Sequence, residues 1–249
     1  MNLVTDFYQR EERLRRTLRA LADVPDALML DVGCRKGELT RSLAPGKRHV
    51  VAVDIERFDQ WLEGSPQISF VNADATTLPF EDRCFDLVVS GECLQYVSDW
   101  RRALDEFHRV LRPEGRLVFS CPNGNVLITG LDPYNLIHGF KKLFRPSAVR
   151  NRTMVKHIPA RQILSHRPNA WECESFMRRG SLAFIYSSCL VDNLQKWRGR
   201  LGTGSSSRSR LAERCLASLI KFLFWVMKHD FSLSLHAFSY NAVYCFRKK

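Results

Sequence analysis

LMLDVGCRKGELT, residues 28–40, is an apolar run interrupted by one aspartate and followed by a turn with Gly33 and Gly37 that leads into a helical pattern. A β-rich run, a glycine turn and a helix start read as the first half of a βαβ unit. Glycines at such a turn let the backbone bend tightly and approach a ligand closely. A dinucleotide fingerprint would need glycines at 33, 35 and 38, but Arg35 and Glu38 stand at two of those positions. Glu38 would also meet a pyrophosphate with like charge, so nicotinamide and flavin dinucleotides are disfavoured. A glycine turn with no ligand is the bland alternative.

Working outward, residues 27–32, 49–54, 68–73, 85–90 and 116–121 read as five strands separated by helical stretches. The clearest crossover is 99–111, where Ala103, Leu104, Phe107, Val110 and Leu111 form one helical face before Pro113 and Gly115 stop it. Short strands alternating with helices imply right-handed crossovers and a parallel sheet covered on both faces. The fold class expected is α/β, a Rossmann-like doubly wound sheet. In such sheets ligands gather at the carboxyl ends of the strands, near the point where the strand order reverses.

Those strand ends carry the polar candidates. The second strand, HVVAVDIE, ends in Asp54, where a carboxylate can accept bonds from both hydroxyls of a ribose, although a strand-terminal Asp serves equally as a helix cap. After the third strand, VNADATTLPF offers the Asp74 carboxylate to an exocyclic adenine amine and the Ala75 N–H to the ring, with a turn as the alternative role. The fourth, FDLVVSGECLQYV, opens at Ser90 and Gly91, with Glu92, Leu94 and Tyr96 behind them.

Taken in order, LDVGCRKG, VVAVDI, NADATTLPFEDRCFDLVVSGECLQYVSD and RVLRPEGRLVFSCPN resemble the successive motifs of the class I S-adenosylmethionine-dependent methyltransferases, of the type 11-like kind, over residues 27–123. The resemblance implies a sheet of about seven strands, mostly parallel with an antiparallel C-terminal strand, plus a helical cap or insertions. It implies S-adenosyl-L-methionine as cofactor. Asp31, Gly33, Cys34 and Gly37 would surround its methionine moiety, Asp54 its ribose, Ile55 the adenine face and Asp74 with Ala75 the adenine edge; Ser90 would contribute backbone at the methionine end. One departure is Arg35, where the family usually has a third glycine.

The implied activity is transfer of a methyl group to a small-molecule, glycan or lipid-linked acceptor, expected at a hydroxyl. The alternatives are RNA methylation and a degenerate cofactor-binding protein without turnover. A hydroxyl acceptor profits from a base, and His157 in VKHIPARQI is the candidate, with Tyr134, His138, Glu92 and Tyr96 as rivals and a surface or capping histidine as the bland reading. The second half more loosely resembles methyltransferases of bacterial surface-glycan and lipid pathways, which share a glycine after the sixth strand, here in Arg179-Gly180, and a Tyr-Asn in the last, here Tyr240-Asn241.

The 249 residues are read as one methyltransferase domain: an N-terminal amphipathic helix in 1–24, a cofactor-binding core at 25–123, a basic lid or insertion at 124–157, and a C-terminal part at 158–249. That last part holds helices at 160–166, 182–197 and 211–229, a strand at 171–177, a Gly/Ser-rich linker at 199–210 and a final strand at 239–246. The net charge of +12 is uneven, with 17 basic and 20 acidic residues up to position 125 and 21 basic against 6 acidic beyond it. A basic half suits an anionic partner such as a membrane surface or a lipid-linked acceptor; nucleic acid is disfavoured because no stacking aromatics interleave the cations. The eight cysteines show no C-x-x-C pair, which argues against a metal site and a disulfide framework. No run reaches a bilayer-spanning length, and a cytoplasmic location is expected, with peripheral membrane association through the apolar 211–229 segment as an added expectation. The oligomeric state is left open.

Overall fold

The computed structural model describes residues 12–62, 65–124, 157–167, 169–179, 190, 218–219, 222 and 241–249. The chain divides into two compact units, one of residues 12–125, 155–178 and 241–249, the other of residues 1–11, 126–154 and 179–240. Most of the second unit lies outside the described residues, and with it the expected lid, the helix at 182–197, the linker, most of the 211–229 helix, Tyr134, His138, Gly180 and Tyr240.

The first unit follows the expected alternation. The helix α1 (Glu12–Leu21) leads into β1 (Leu28–Val32), α2 (Glu38–Leu43), β2 (His49–Asp54), a 3₁₀ turn (Asp59–Leu62), β3 (Ile68–Asn72), β4 (Phe85–Gly91), a second 3₁₀ turn (Leu94–Tyr96), α3 (Trp100–Val110), β5 (Leu111–Pro122), α4 (Ala160–Leu164), β6 (Trp171–Arg179) and β7 (Asn241–Lys248). The sheet has seven strands in the order β3-β2-β1-β4-β5-β7-β6. The first five are parallel, and β7 runs antiparallel to β5 with Phe119 opposite Tyr244 and Pro122 opposite Asn241. The order reverses between β1 and β4, so the loops after these two strands flank the switch point.

Burial on both faces explains the near-continuous apolar strands. Leu30, Val53, Val88, Leu117, Phe119 and Tyr244 share one core with Ala103, Leu104, Phe107 and Val110 of α3. Asp99 caps α3 by accepting from the Arg102 N–H at 3.1 Å. The crossover departs from the expectation at its end. Leu111 leaves the helix and already pairs with Phe85, after which the register jumps and Arg116 pairs with Leu87. Pro113 and Gly115 therefore mark a bulge inside β5 rather than a loop before it.

Arg109 ties this crossover to the chain entering β4. Its guanidinium donates to the Leu78 carbonyl at 3.0 Å and the Phe80 carbonyl at 2.7 Å, and it pairs with Glu106 and Asp82 at 2.8 Å. Among the described residues no helix is long and apolar enough to cross a membrane.

Arg109→Ala removes these bonds and leaves two carbonyls without a donor. A loss of about 2 kcal/mol in urea unfolding is expected, whereas Arg109→Lys, which keeps one point charge, recovers part of it.

Candidate cofactor site

Because β3, β2, β1 and β4 are adjacent and parallel, their carboxyl ends bring Asp74, Ala75, Asp54, Ile55, Asp31, Gly33, Cys34, Gly37 and Ser90 to one edge of the sheet. The turn after β1 makes the closest approach. Gly33 has φ 81°, and a Cβ built on it would lie 2.5 Å from the Cβ and Sγ of Cys93, beyond β4. Gly37, at φ 85°, opens α2 with its α-carbon against the Phe70 ring, which a Cβ would meet at 2.9 Å. Both positions require glycine.

Arg35 also sits in the left-handed region, at φ 47°, a conformation that costs a side chain about 1 kcal/mol. Three bonds hold it there. Its N–H donates to Asp54 Oδ2 at 2.9 Å, its carbonyl accepts from Trp61 Nε1 at 2.6 Å, and the Cys34 thiol lies 3.8 Å from the same carbonyl. The Arg35 side chain is exposed. Trp61 in turn stacks on Phe70, with ring centroids 5.3 Å apart. Sequence reasoning missed Trp61; its only signal was a lone tryptophan two turns past a strand end.

Asp54 serves as a local cap and as a tie to the glycine turn. Its Oδ1 accepts from the Glu56 N–H at 3.1 Å, a local cap, while Oδ2 ties the glycine turn. Each carboxylate oxygen retains a further lone pair. Asn72 Nδ2 bonds both the Asp54 and the Ile55 carbonyls, at 2.9 and 2.8 Å, which fixes the backbone so that Ile55 stands 68% exposed beside the carboxylate. Asp74 closes a turn by accepting from the Thr76 N–H and hydroxyl on one oxygen, and its second oxygen takes no bond among the described residues. Ala75 is buried at the foot of this turn.

Asp31 is the electrostatic centre. It is 1% exposed and accepts a 2.5 Å bond from the Thr40 hydroxyl of α2. Burial raises its pKa to about 7 against the lowering effect of Thr40, and the Asp54 charge raises it further. Burial likewise pushes the Cys34 thiol up, and the Cys93 thiol up to about 12, so both remain protonated and unreactive. Ser90 is fully buried and donates to the Val32 carbonyl at 3.0 Å, bracing β4 against β1.

His157 reaches the same edge by another route. The Ile158 N–H donates to the Pro122 carbonyl at the end of β5, and the Ala160 N–H donates to Asn123 Oδ1. Gly124 packs so tightly on His157 that a Cβ would lie 2.0 Å from the histidine Cβ. Nearby, Glu92 adopts φ 54°, and its carboxylate accepts from Asn241 Nδ2 at 2.8 Å and Gln95 Nε2 at 3.3 Å. Burial raises the Glu92 pKa, opposed by bonds from Ser120, Asn241 and Gln95 and by the neighbouring His157. With both amide NH₂ groups turned to Glu92, the buried Gln95 Oε1 and Asn241 Oδ1 receive no donor among the described residues. Leu94 is buried and Tyr96 exposed. No His, Cys, Asp and Glu cluster among the described residues is arranged to hold a metal.

Comparison with known proteins gives this edge a context. Residues 30–119 match the family profile described as a methyltransferase domain. The chain is 36% identical over 163 residues to a demethylmenaquinone methyltransferase of Clavibacter sepedonicus, covering 62% of this chain and 63% of that protein. It spans less than two thirds of the length of the curated relatives it matches. Among solved structures it resembles the [4+2]-cyclase SpnF, with TM-score 0.60 and 19% identity over 98% of this chain and 84% of that one. It also resembles the N-methyltransferase NodS of Bradyrhizobium japonicum WM9 in complex with S-adenosyl-L-homocysteine, with TM-score 0.54 and 17% identity over 99% and 90%.

The raised Asp31 pKa carries a stability signature. The folded protein binds this proton more tightly than the unfolded chain, so the contribution of Asp31 is most favourable below about pH 4 and is lost as pH rises to about 7. Asp31→Asn is expected to flatten that slope and to stabilise the ligand-free protein at pH 8 by on the order of 3 kcal/mol in chemical denaturation, with little change at pH 4.

Proposed function

We propose that this chain, which carries a methyltransferase domain of the S-adenosylmethionine-dependent class in residues 30–119, moves a methyl group from that cofactor to a hydroxyl of a small-molecule, glycan or lipid-linked acceptor. The observation that carries the reading is the pair of carboxylates at adjacent strand ends, Asp54 and Asp74, with the exposed face of Ile55 between them and free acceptor capacity on each. The residues present fit an adenosine: two hydroxyl donors for Asp54, an amine donor for the second oxygen of Asp74, and an apolar face for the ring.

When bound, the cofactor supplies an electrophilic methyl on a sulfonium, so the protein's task is to align the nucleophile and exclude water. The Gly33 and Gly37 turn brings backbone close to the methionine end, and Ser90 holds the opposing strand in place. Asp31 receives the positive charge of that end. A cation beside this buried carboxylate favours its ionised form and releases its proton near neutral pH.

His157 takes the proton of the acceptor hydroxyl in this reading, which is supported by its position beside the end of β5, where the Ile158 N–H donates to the Pro122 carbonyl and Gly124 packs against the histidine Cβ. Glu92, beside it, supports the histidine. The carbonyls of Gln95 and Asn241, which take no donor among the described residues, suit donor groups elsewhere on the acceptor. The basic second half of the sequence supports an anionic acceptor, or one presented at an anionic membrane surface.

S-adenosylhomocysteine is expected to raise the melting temperature, and Asp54→Ala to abolish the rise; a wild-type protein that does not respond overturns the reading. Calorimetry should show affinity for it weakening as pH falls below about 7, as Asp31 takes up its proton. His157→Ala should leave that affinity unchanged while slowing methyl transfer by roughly 10²-fold or more. Equal turnover by this variant would remove His157 as the base.

A further inference from the structure

Two ties join the glycine turn after β1 to the 3₁₀ turn at Asp59–Leu62. The Trp61 indole Nε1 donates to the Arg35 carbonyl at 2.6 Å. The Arg41 guanidinium bridges the same two segments, donating to the Lys36 and Gln60 carbonyls, both at 2.7 Å. Phe70 of β3 supports both: its ring stacks on Trp61 with an interplanar angle of 13°, and the guanidinium carbon of Arg41 lies 5.7 Å from its centroid. The Trp61 backbone N–H donates to the Phe58 carbonyl at 3.1 Å, so the indole is set by its own turn as well as by the stack.

The indole bond acts at a sensitive point. Arg35 is gripped on both sides of its α-carbon, since its N–H donates to Asp54 Oδ2 at 2.9 Å and its carbonyl accepts from Trp61. Together the two bonds fix φ and ψ, in a left-handed conformation at φ 47° that a residue with a side chain leaves unless something holds it. Asp54 depends on the same residue. One of its oxygens is held by the Glu56 N–H and the other by the Arg35 N–H. With both bonds in place the carboxylate plane is set; with the Arg35 bond lost, it turns freely about a torsion whose energy profile is broad. The indole bond is exposed, so water replaces it at small cost to folding, but water does not aim the carbonyl.

We propose that Trp61 is a positioning residue for the cofactor: its indole N–H pins the Arg35 turn in the left-handed conformation and thereby keeps the Asp54 carboxylate in the orientation that receives the ribose hydroxyls. The inference rests on the methyl-transfer reading, which assigns the ribose to Asp54. Trp61 supplies from outside what a glycine at position 35 would supply by itself, namely residence at positive φ without support. Its effect passes through Arg35 and vanishes when residue 35 no longer needs holding.

The probe is S-adenosylhomocysteine, titrated calorimetrically into the full-length protein, its Trp61→Phe and Arg35→Gly variants and the double variant, with melting curves recorded without ligand. Trp61→Phe keeps a ring on Phe70 and removes the donor; it is expected to weaken binding by about threefold or more with little change in melting temperature. In the Arg35→Gly background the same substitution is expected to change affinity by less than about twofold. A tryptophan that only supports the fold would lower the melting temperature and leave the dissociation constant of the folded protein unchanged; that outcome, or an equal loss of affinity in both backgrounds, overturns the proposal. Should Trp61→Phe fail to fold, the double variant decides: it is expected to fold and to bind within about twofold of Arg35→Gly, and a larger loss, or failure to fold in this background too, overturns the coupling. A wild-type protein that does not bind overturns the methyl-transfer reading and this assignment with it, whereas wild-type binding that Trp61→Phe leaves unchanged overturns the assignment alone.

Discussion

Gly33 and Cys93 approach so closely that not even a methyl group fits between them, and this contact joins the two loops at the reversal of strand order. Parallel strands alone would deliver a row of turns along one edge. The first turn is also tied to the neighbouring strand: the N–H groups of Gly33 and Cys34 both reach the Val53 carbonyl of β2, at 2.8 and 3.1 Å. The left-handed positions at 33, 35 and 37 make this possible. Arg35 holds one of them at a conformational cost, and the bonds from Asp54 and Trp61 meet that cost locally.

The same geometry explains why an acid is buried under the turn. Asp31 lies one residue before the end of β1, on the face covered by α2, where its one short bond comes from Thr40. An isolated carboxylate in that place is unfavourable, and the protein without a ligand relieves the tension by protonation near neutrality. In the proposed reading, the positively charged end of the cofactor would relieve it by pairing.

Much of this was legible in the residues. The strand at 49–54, the strand expected at 27–32 and found at 28–32, the body of the α3 crossover and the placement of Asp54 and Asp74 at strand ends follow from period, glycine turns and strand order, all of which are local or nearly so. The bulge in β5 was not, because Pro113 and Gly115 look the same whether they end a helix or kink a strand; only pairing of Leu111 with Phe85 distinguishes them. Trp61 escaped notice for a related reason. Its indole serves a carbonyl 26 residues away, and nothing in the spacing of the chain marks such a bond. Asn241 meets Glu92 across 149 residues, and the sequence carries no trace of that distance.

The short helix α2 connects features at both edges of the sheet. It begins at Gly37, in the glycine turn, supplies Thr40 to Asp31, and ends with Ser42, whose carbonyl accepts from Arg19 of α1, and the buried Leu43. Six residues span about 9 Å, and Leu39, Thr40 and Leu43 are buried, so the helix is held along most of its length. Arg41 on its outer side donates to the Lys36 carbonyl and to the Gln60 carbonyl, both at 2.7 Å, which fastens it to the turn before it and to the segment carrying Trp61. A helix fixed this way cannot shift at one end without disturbing the bonds at the other. The buried Asp31 under the glycine turn and the Arg19 contact of α1 at Ser42 therefore share one structural support.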